Sequence, residues 1–171
     1  MSEFFLELFS EEIPARLQKD LRENLLKKFQ KFFLEKSIKS KKSFSLSTPN
    51  RIVIVFESLD KKITLKAEEV KGPSTNAPEQ ALEGFIRSKK IEKKNLLKKK
   101  TEKGEFYFYK TNSKILKTHD LLLEFIPKLL GNHQWKKSMK WGEFDLNWGR
   151  PLKSILSILD KKTIIFKFHH L

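Results

Sequence analysis

Basic and aromatic side chains alternate between residues 135 and 150, and this pattern suits contact with a nucleic acid. Lysine and arginine neutralise phosphates, and an indole ring can stack on an unpaired base. The alternative, which we favour on the sequence alone, is that the tryptophans fill a seam between two subdomains. The residues concerned are Trp135, Lys136, Lys137, Lys140, Trp141, Trp148 and Arg150.

A second basic segment runs from Lys89 to Lys103 and holds eight lysines, opposed only by Glu92 and Glu102. Such a run attracts any polyanion and specifies none. The same lysines would also serve as a solvated surface without a ligand. The run therefore predicts electrostatic attraction without identifying a partner.

The familiar catalytic motifs are absent from the sequence. It contains no Walker-type phosphate loop, no dinucleotide-binding glycine motif, no HExxH and no GxSxG. His169 and His170 are adjacent, so on a strand they point to opposite faces and cannot share a metal ion. Glu11 and Glu12 also diverge, and we interpret them as helix-entry residues. We therefore expect no catalytic residue, no metal ligand and no cofactor on this chain.

The charge balance indicates a polyanionic partner. The 171 residues include 36 Lys and Arg against 21 Asp and Glu, a formal net charge of +15. Each phosphate that a cation neutralises releases condensed counterions, which favours binding. Nucleic acid is the leading candidate and an anionic membrane surface the second. A lysine bias at the surface, without any partner, is the third explanation.

The chain has the composition of a folded cytoplasmic protein. Its 15 Phe and its hydrophobic fraction of 39% are enough for a core, and it has no Cys. The segment from Met1 to Ser10 lacks the basic start of a secretory signal. No apolar run approaches the roughly 20 residues that span a bilayer. We therefore expect a cytoplasmic location and no membrane partner.

The elements that must position these side chains begin with a strand and a long helix. Glu3 to Phe9 is a short apolar and aromatic run, which is typical of a strand. Pro14 suits the first turn of a helix. Apolar residues then recur three and four positions apart, which predicts an amphipathic helix that ends near Ser37. These apolar residues are Leu17, Leu21, Leu25, Phe29, Phe32 and Phe33.

Strands and helices are mixed along the rest of the chain, and we expect 52–56 and 63–67 to form an antiparallel pair. This order, with about three helices, predicts an α+β fold with a mixed or antiparallel sheet. The further predicted elements are strands 44–46, 105–110 and 163–168 and helices 77–90 and 121–130.

We place a domain boundary after residue 132. Residues 1–132 form the predicted α+β domain. Residues 133–171 form an aromatic and basic connector and the start of a second α/β subdomain. Because the sequence stops directly after an apolar strand, we expect this subdomain to be cut off and the chain to be a piece of a longer protein.

Several short strings, taken in order, resemble one family. The opening FLELFSEEIPA (Phe5 to Ala15) is similar to the start of the beta subunit of bacterial heterotetrameric glycyl-tRNA synthetase. The family's Thr-Pro-Arg-Arg-Leu corresponds to Thr48-Pro49-Asn50-Arg51-Ile52, and its Lys-x-Met-Arg-Trp-Gly to Lys137-Ser138-Met139-Lys140-Trp141-Gly142. Its Lys-Gly-Pro, Gly-Phe-x-Arg and Arg-Pro correspond to Lys71-Gly72-Pro73, Gly84-Phe85-Ile86-Arg87 and Arg150-Pro151. The resemblance covers all 171 residues, about the first quarter of such a subunit.

The resemblance implies an accessory subunit of glycine tRNA ligase. In that family the alpha subunit binds glycine and ATP, which is used with magnesium. The beta subunit contributes tRNA recognition and assembly, so the implied partners are tRNA(Gly) and the alpha subunit, in an α2β2 heterotetramer. Asn50 and Lys140 stand where the family has arginine, and this loss of a guanidinium weakens any phosphate contact there. The candidate contacts with tRNA or the alpha subunit are Arg51, Lys71, Arg87, Lys137, Lys140, Trp141 and Arg150.

Two other functions remain open at this point. A stand-alone nucleic-acid-binding module without an enzymatic role would have the same basic composition. A purely structural role would make the segment 135–150 a hinge between domains and the lysines a surface bias. We carry the ligase subunit forward as the main hypothesis, because six family strings in the right order are hard to obtain by chance.

Overall fold

The computed structural model describes residues 2–65, 67–89, 91–101, 104–135 and 137–171. The chain divides into two compact units: unit 1 comprises residues up to 63 together with 116–171, and unit 2 comprises residues 64–115. Five residues that the sequence analysis placed in strands, helices or basic segments lie outside the described residues. They are Lys66, Lys90, Glu102, Lys103 and Lys136.

The described residues contain strands, three α-helices and one short 3₁₀ turn. In chain order these are β1 (Ser2–Ser10), α1 (Ala15–Glu35), β2 (Lys42–Ser47), β3 (Arg51–Leu59), β4 (Lys62–Leu65), β5 (Glu69–Ser74), α2 (Glu79–Lys89), the 3₁₀ turn (Lys93–Asn95), β6 (Leu96–Thr101), β7 (Gly104–Lys110), β8 (Lys114–Lys117), α3 (Thr118–Gly131), β9 (Leu152–Leu159) and β10 (Lys162–Thr163).

Unit 1 is built on a five-stranded antiparallel sheet in the order β10-β9-β1-β3-β2. Alternate residues of β1 are buried, as the period of a strand requires. The buried side includes Phe4, Leu6 and Leu8, which join the hydrophobic core together with residues of α1 and α3. The central position of β1 in this sheet explains why its sequence is so apolar.

Helix α1 buries one stripe of the predicted amphipathic pattern. Its buried residues recur four positions apart, from Leu21 to Phe33. At its end Ser37 adopts a left-handed φ of 57°, and the N–H of Ile38 donates to the carbonyl of Phe33 at 2.8 Å. The predicted helix and its end near Ser37 are confirmed.

Phenylalanine rings form the centre of the unit 1 core. The ring of Phe29 lies 5.4 Å from that of Phe4 and 5.2 Å from that of Phe125, which α3 contributes. Phe33 and Phe56 meet edge to face at 4.8 Å. Tilted and edge-to-face arrangements are those that aromatic quadrupoles favour. The many phenylalanines of this sequence are therefore in large part core residues.

Unit 2 is a three-stranded antiparallel sheet in the order β5-β7-β6 with the helix α2. A Cβ on Gly72 would lie 3.0 Å from the ring of Phe85, so α2 packs closely on the side of the sheet that Gly72 faces. β4 and β8 form a separate two-stranded sheet. Among the described residues the helices and antiparallel sheets confirm the α+β class.

Two predicted strands differ from the structure. The predicted pairing of 52–56 with 63–67 is wrong, because β3 pairs with β1 and β2, whereas β4 pairs with β8. Of the predicted strand 163–168 only Thr163 lies in a strand, as the last residue of β10. Strand β6 was not predicted, since it is lysine-rich and largely exposed, and so lacks the apolar alternation by which strands are recognised.

The compact units do not coincide with the boundary predicted after residue 132. Strand β9 belongs to the last segment, yet it pairs with β1 along its length, with Phe5 opposite Ile158 and Phe9 opposite Ser154. Residues 133–171 therefore lie in unit 1 with the start of the chain. The contiguous piece that separates as a second unit is the one formed by residues 64–115.

Candidate nucleic-acid interface

The predicted contact residues are distributed over both units and do not form one cluster within either. Unit 1 holds Arg51, Lys137, Lys140, Trp141 and Arg150, and unit 2 holds Lys71 and Arg87. In each unit, the neighbouring side chains determine which of these cations are free to bind a phosphate.

Residues 137–151 follow an irregular path that is held by one tryptophan and one β-bridge. Trp148 is only 1% exposed, and its ring lies 4.8 Å from that of Trp135. Met139 and Trp148 exchange backbone hydrogen bonds at 2.9 and 3.1 Å. This buried attachment leaves Lys137 and Lys140 exposed. Trp148 is thus a core residue, in agreement with the packing alternative.

Arg150 links this segment to the start of α1. Its Nε donates to the backbone carbonyl of Glu12 at 3.1 Å, and its Nη1 lies 3.7 Å from the sulfur of Met139. The N–H of Glu11 donates to the carbonyl of Pro151 at 2.9 Å. The guanidinium is half-buried, so Arg150 has a positioning role even without a ligand.

A small cationic cavity lies where these parts meet, and we call it the α1 pocket. Its volume is about 100 Å³. Arg16, Lys137 and Arg150 contribute positive charge to its lining, and none of the described residues that line it is acidic. The lining residues are Pro14, Arg16, Leu17, Lys137, Ser138, Met139, Gly149 and Arg150.

Helix α1 adds a favourable field for an anion at this pocket. It has no acidic residue in its first turn and no side-chain cap on its N-terminal end. The free N–H groups of a helix start carry partial positive charge and attract phosphates. Within the described part of the chain, the exposed side chains of Arg16 and Lys137 form no ion pair. Sequence reasoning missed Arg16, although the lack of an acidic first turn was a visible signal.

Arg51 lies outside the α1 pocket and is already neutralised. Its Nε meets a carboxylate oxygen of Glu7 at 3.2 Å, and its guanidinium carbon lies 4.4 Å from the centre of the Phe9 ring. Lys153 approaches the same ring at 5.6 Å and pairs with Glu11 at 2.7 Å. A phosphate at Arg51 would therefore have to displace Glu7.

Lys140 and Trp141 are also engaged within unit 1. The ammonium of Lys140 lies 3.2 Å from a carboxylate oxygen of Asp145. Trp141 is half-buried against the core, and its ring meets His170 edge to face at 5.8 Å. This packing favours a structural role for Trp141 over stacking on a base.

In unit 2 the two predicted residues lie on different elements. Lys71 is on β5, with its ammonium 3.5 Å from the centre of the Phe106 ring. Arg87 is an exposed residue in the last turn of α2, where a cation stabilises the helix dipole. Arg87 therefore has a sufficient structural explanation, whereas Lys71 belongs to a basic and aromatic surface.

The lysine-rich segment that follows α2 is partly paired. These ion pairs are exposed, so each contributes little stability and can exchange for a phosphate. They join Lys93 to Glu79 at 3.5 Å, Lys94 to Glu92 at 2.5 Å and Lys99 to Glu69 at 2.6 Å. Lys98 and Lys100, also exposed, lie on the same strand as Lys99.

The described residues include no group of three or more His, Asp or Glu that could hold a metal ion.

His170 stacks on Phe144 with ring centres 4.0 Å apart and approaches the carbonyl of Leu152 at 3.2 Å. His133 is half-buried, and burial lowers its pKa from 6.5 to about 4, with a smaller contribution from the charge of Lys28. In the described ranges we also find no helix that is both long and apolar enough to cross a membrane.

Comparison with known proteins adds a family to this geometry. A family model described as "Glycyl-tRNA synthetase beta subunit" matches residues 4–171. The chain is 40% identical over 171 residues to the glycine–tRNA ligase beta subunit of Rickettsia bellii strain OSU 85-389. It is 39% identical to those of Rickettsia prowazekii strain Madrid E and Rickettsia conorii strain Malish 7. Each match covers 100% of this chain and 26% of the relative, so the chain spans about a quarter of the relatives' length.

Proposed function

Since this chain belongs to the family of glycyl-tRNA synthetase beta subunits, we propose that it contributes tRNA recognition and subunit assembly to glycine tRNA ligase. On this proposal the complete α2β2 enzyme attaches glycine to tRNA(Gly) in the cytoplasm. It also follows from this proposal that ATP and magnesium are used on the alpha subunit. This chain provides positive charge and a surface complementary to the tRNA.

The α1 pocket is the observation that supports direct contact with tRNA. Three cations, the start of α1 and the absence of an acidic lining side chain favour an anion the size of a phosphate. Arg16 offers a planar fork that can bind two phosphate oxygens, and Lys137 offers a point charge. Arg150 already donates to Glu12, so its main effect is to hold the pocket together.

Loss of the two free cations tests this role in the complete ligase. We expect Arg16→Gln with Lys137→Gln to weaken tRNA(Gly) binding about tenfold or more, because charged hydrogen bonds to phosphate are lost. The slope of log affinity against log salt should fall by roughly 0.7–0.9 for each lost contact. Filter binding at several salt concentrations measures both quantities. Glycyl-adenylate formation, followed by ATP–pyrophosphate exchange, should remain unchanged.

The matched control removes the same charge at the other end of α1, from Lys31 in its last turns and from Lys36, which directly follows the helix. Lys31 and Lys36 are exposed, and at about 1.5 Å per helical residue they lie more than about 20 Å from Arg16 along the helix. Lys31→Gln with Lys36→Gln should alter tRNA affinity much less. If both double variants lower the affinity equally, the pocket has no special role and only net charge matters.

Assembly with the alpha subunit separates this proposal from a stand-alone nucleic-acid-binding module. The full beta subunit mixed with a glycyl-tRNA synthetase alpha subunit should elute as a complex in size-exclusion chromatography. A stand-alone module would elute separately, and the assembly role would then be abandoned.

A further inference from the structure

The three-stranded sheet of unit 2 has one face that its own helix does not cover. Phe85 of α2 lies on the side that Gly72 faces. Lys71 precedes Gly72, at the point where the register of β5 shifts between Lys71 and Ser74. The side chain of Lys71 is exposed, whereas Val70 and Gly72 on either side of it are half-buried, as expected where neighbouring residues of a strand face opposite sides. Lys71 and its cross-strand neighbours therefore lie on the opposite face, which we call the lysine–phenylalanine face.

Two phenylalanines of the middle strand lie at the centre of this face. Phe108 is paired with Lys71 on one side and with Leu97 on the other, and Phe106 is paired with Ser74 and Lys99. The two rings belong to residues two positions apart, so they are separated by about 6.6 Å along the strand. Both are half-buried, and the neighbouring Leu97 is 51% exposed.

Lysine ammonium groups rest on both rings. That of Lys71 lies 3.5 Å from the centre of the Phe106 ring, and that of Lys99 lies 5.7 Å from the centre of the Phe108 ring. Lys99 also pairs with Glu69 at 2.6 Å, and this hydrogen bond lowers the pKa of the Glu69 carboxyl. The pair is well exposed, with 45% and 43% of the side chains accessible, so a phosphate can compete for Lys99.

The charge of unit 2 favours an anionic ligand at this face. Residues 64–115 contain 13 Lys and Arg against seven Asp and Glu. Half-buried aromatic rings flanked by exposed cations on an antiparallel sheet provide what an unpaired nucleotide strand requires: stacking surfaces for bases and counter-charges for phosphates. A paired helix hides the faces of its bases, so only a single strand can use the rings.

We propose that the lysine–phenylalanine face binds a single-stranded segment of RNA. Two bases stack on Phe106 and Phe108, and the ammonium groups of Lys71 and Lys99 move from the rings to the adjacent phosphates. This inference deepens the proposed tRNA role and rests on it for the identity of the RNA, which would be an unpaired loop or end of tRNA(Gly).

Ring removal tests the stacking part of the proposal in the complete ligase. The probe is a fluorescent single-stranded decamer of adenylate, measured by anisotropy. Phe106→Leu with Phe108→Leu keeps apolar bulk and removes both rings. We expect at least about a fivefold loss of affinity for each ring and an unchanged salt slope, because no charge is lost.

Lysine removal tests the phosphate part separately. Lys71→Gln with Lys99→Gln should lower the salt slope by about 0.7 for each lost phosphate contact on a single strand. Phe44→Leu in unit 1 is the matched control for ring removal, because the ammonium of Lys42 lies 5.3 Å from the centre of the Phe44 ring. Its affinity for the adenylate decamer should equal that of the wild type.

Conservative variants keep the test valid if the leucine variant fails to fold. Phe106→Tyr with Phe108→Tyr retains both rings and should bind the decamer about as tightly as the wild type. Undiminished decamer binding by a folded leucine variant would overturn the proposal. So would weak binding by a folded tyrosine variant. A leucine variant that loses only binding to phosphatidylserine vesicles would assign this face to a membrane and would equally overturn it.

Failure of this inference can be told apart from failure of the tRNA role. If the leucine variant binds the decamer normally while the α1 pocket variant loses tRNA(Gly), the stacking face is excluded and the proposed function stands. If the leucine variant loses the decamer while tRNA(Gly) affinity is unchanged in every variant, the face binds single strands and the proposed tRNA role is rejected.

Discussion

Gly149 is the position where a single methyl group should most clearly disturb the candidate interface. A Cβ there would lie 2.2 Å from Cζ3 of Trp135, 2.5 Å from Cε3 and 2.8 Å from Cη2. Carbon atoms in contact are separated by about 3.5–4.0 Å, so the indole or the backbone must move by more than about 1 Å. The indole is packed against His133 at 5.0 Å and Trp148 at 4.8 Å, which leaves it little freedom.

The expected cost of Gly149→Ala follows from this overpacking. Extra methylenes forced into packed sites usually destabilise a protein by about 1–3 kcal/mol. For a unit of this size that corresponds to a fall in melting temperature of roughly 4–12 °C. Gly149 also lines the α1 pocket and precedes Arg150, so tRNA(Gly) affinity should fall together with stability.

Calorimetry of the purified subunit measures the change, and Gly84→Ala is the matched control. A Cβ on Gly84 meets nothing within 4 Å, and Gly84 lies inside α2. Alanine should therefore stabilise that helix by about 0.5–1 kcal/mol. If Gly149→Ala melts at or above the wild-type temperature, the close packing of Trp135 on the backbone of Gly149 is refuted.

Three further perturbations test the core of unit 1. Phe29→Ala should lower the free energy of unfolding in urea by about 3–5 kcal/mol, because Phe29 is fully buried among other aromatic rings; a loss below about 1 kcal/mol would contradict that packing. The folded pKa of His133, about 4, lies below its ordinary 6.5, so unfolding takes up a proton between these values. The stability that neutral His133 contributes is complete above about pH 6.5 and is lost as the pH falls towards 4. His133→Gln should flatten the pH dependence of the free energy of unfolding, measured in urea, over this range. Identical pH profiles for the variant and the wild type would exclude the effect. Ser157 is 2% exposed, and its hydroxyl has no partner among the described residues; Ser157→Ala should be neutral or stabilising by up to about 1–2 kcal/mol in thermal unfolding, since an unpaired polar group leaves the interior.

The candidate cations differ in how much of their charge is available. Arg51 and Lys140 each face a carboxylate, from Glu7 and Asp145, whereas Arg16 and Lys137 meet none in the described parts of the chain. A family motif identifies a residue type and a position along the chain. It does not say whether a carboxylate from another strand or turn already neutralises that residue.

The helix α1 and the strands β1 and β7 were predicted because their signals are local. Helix α1 has a clear period of apolar residues, and the two strands are short runs of apolar and aromatic residues. Strand β6 and the pairing of β3 were not predicted correctly, because a lysine-rich strand has no apolar period and pairing depends on distant segments. The pairing of β9 with β1 is another example, because these strands come from opposite ends of the chain.

The α+β class, the excess of positive charge and the family follow from the sequence, since composition, local periodicity and ordered motifs are properties of a linear chain. Which cations are free depends on the folded structure. It buried Trp148 in the core, paired Arg51 with Glu7 and brought Arg16 to Lys137 and Arg150. Contacts between residues more than 100 positions apart arise from packing and strand pairing, and no local pattern in the sequence encodes them.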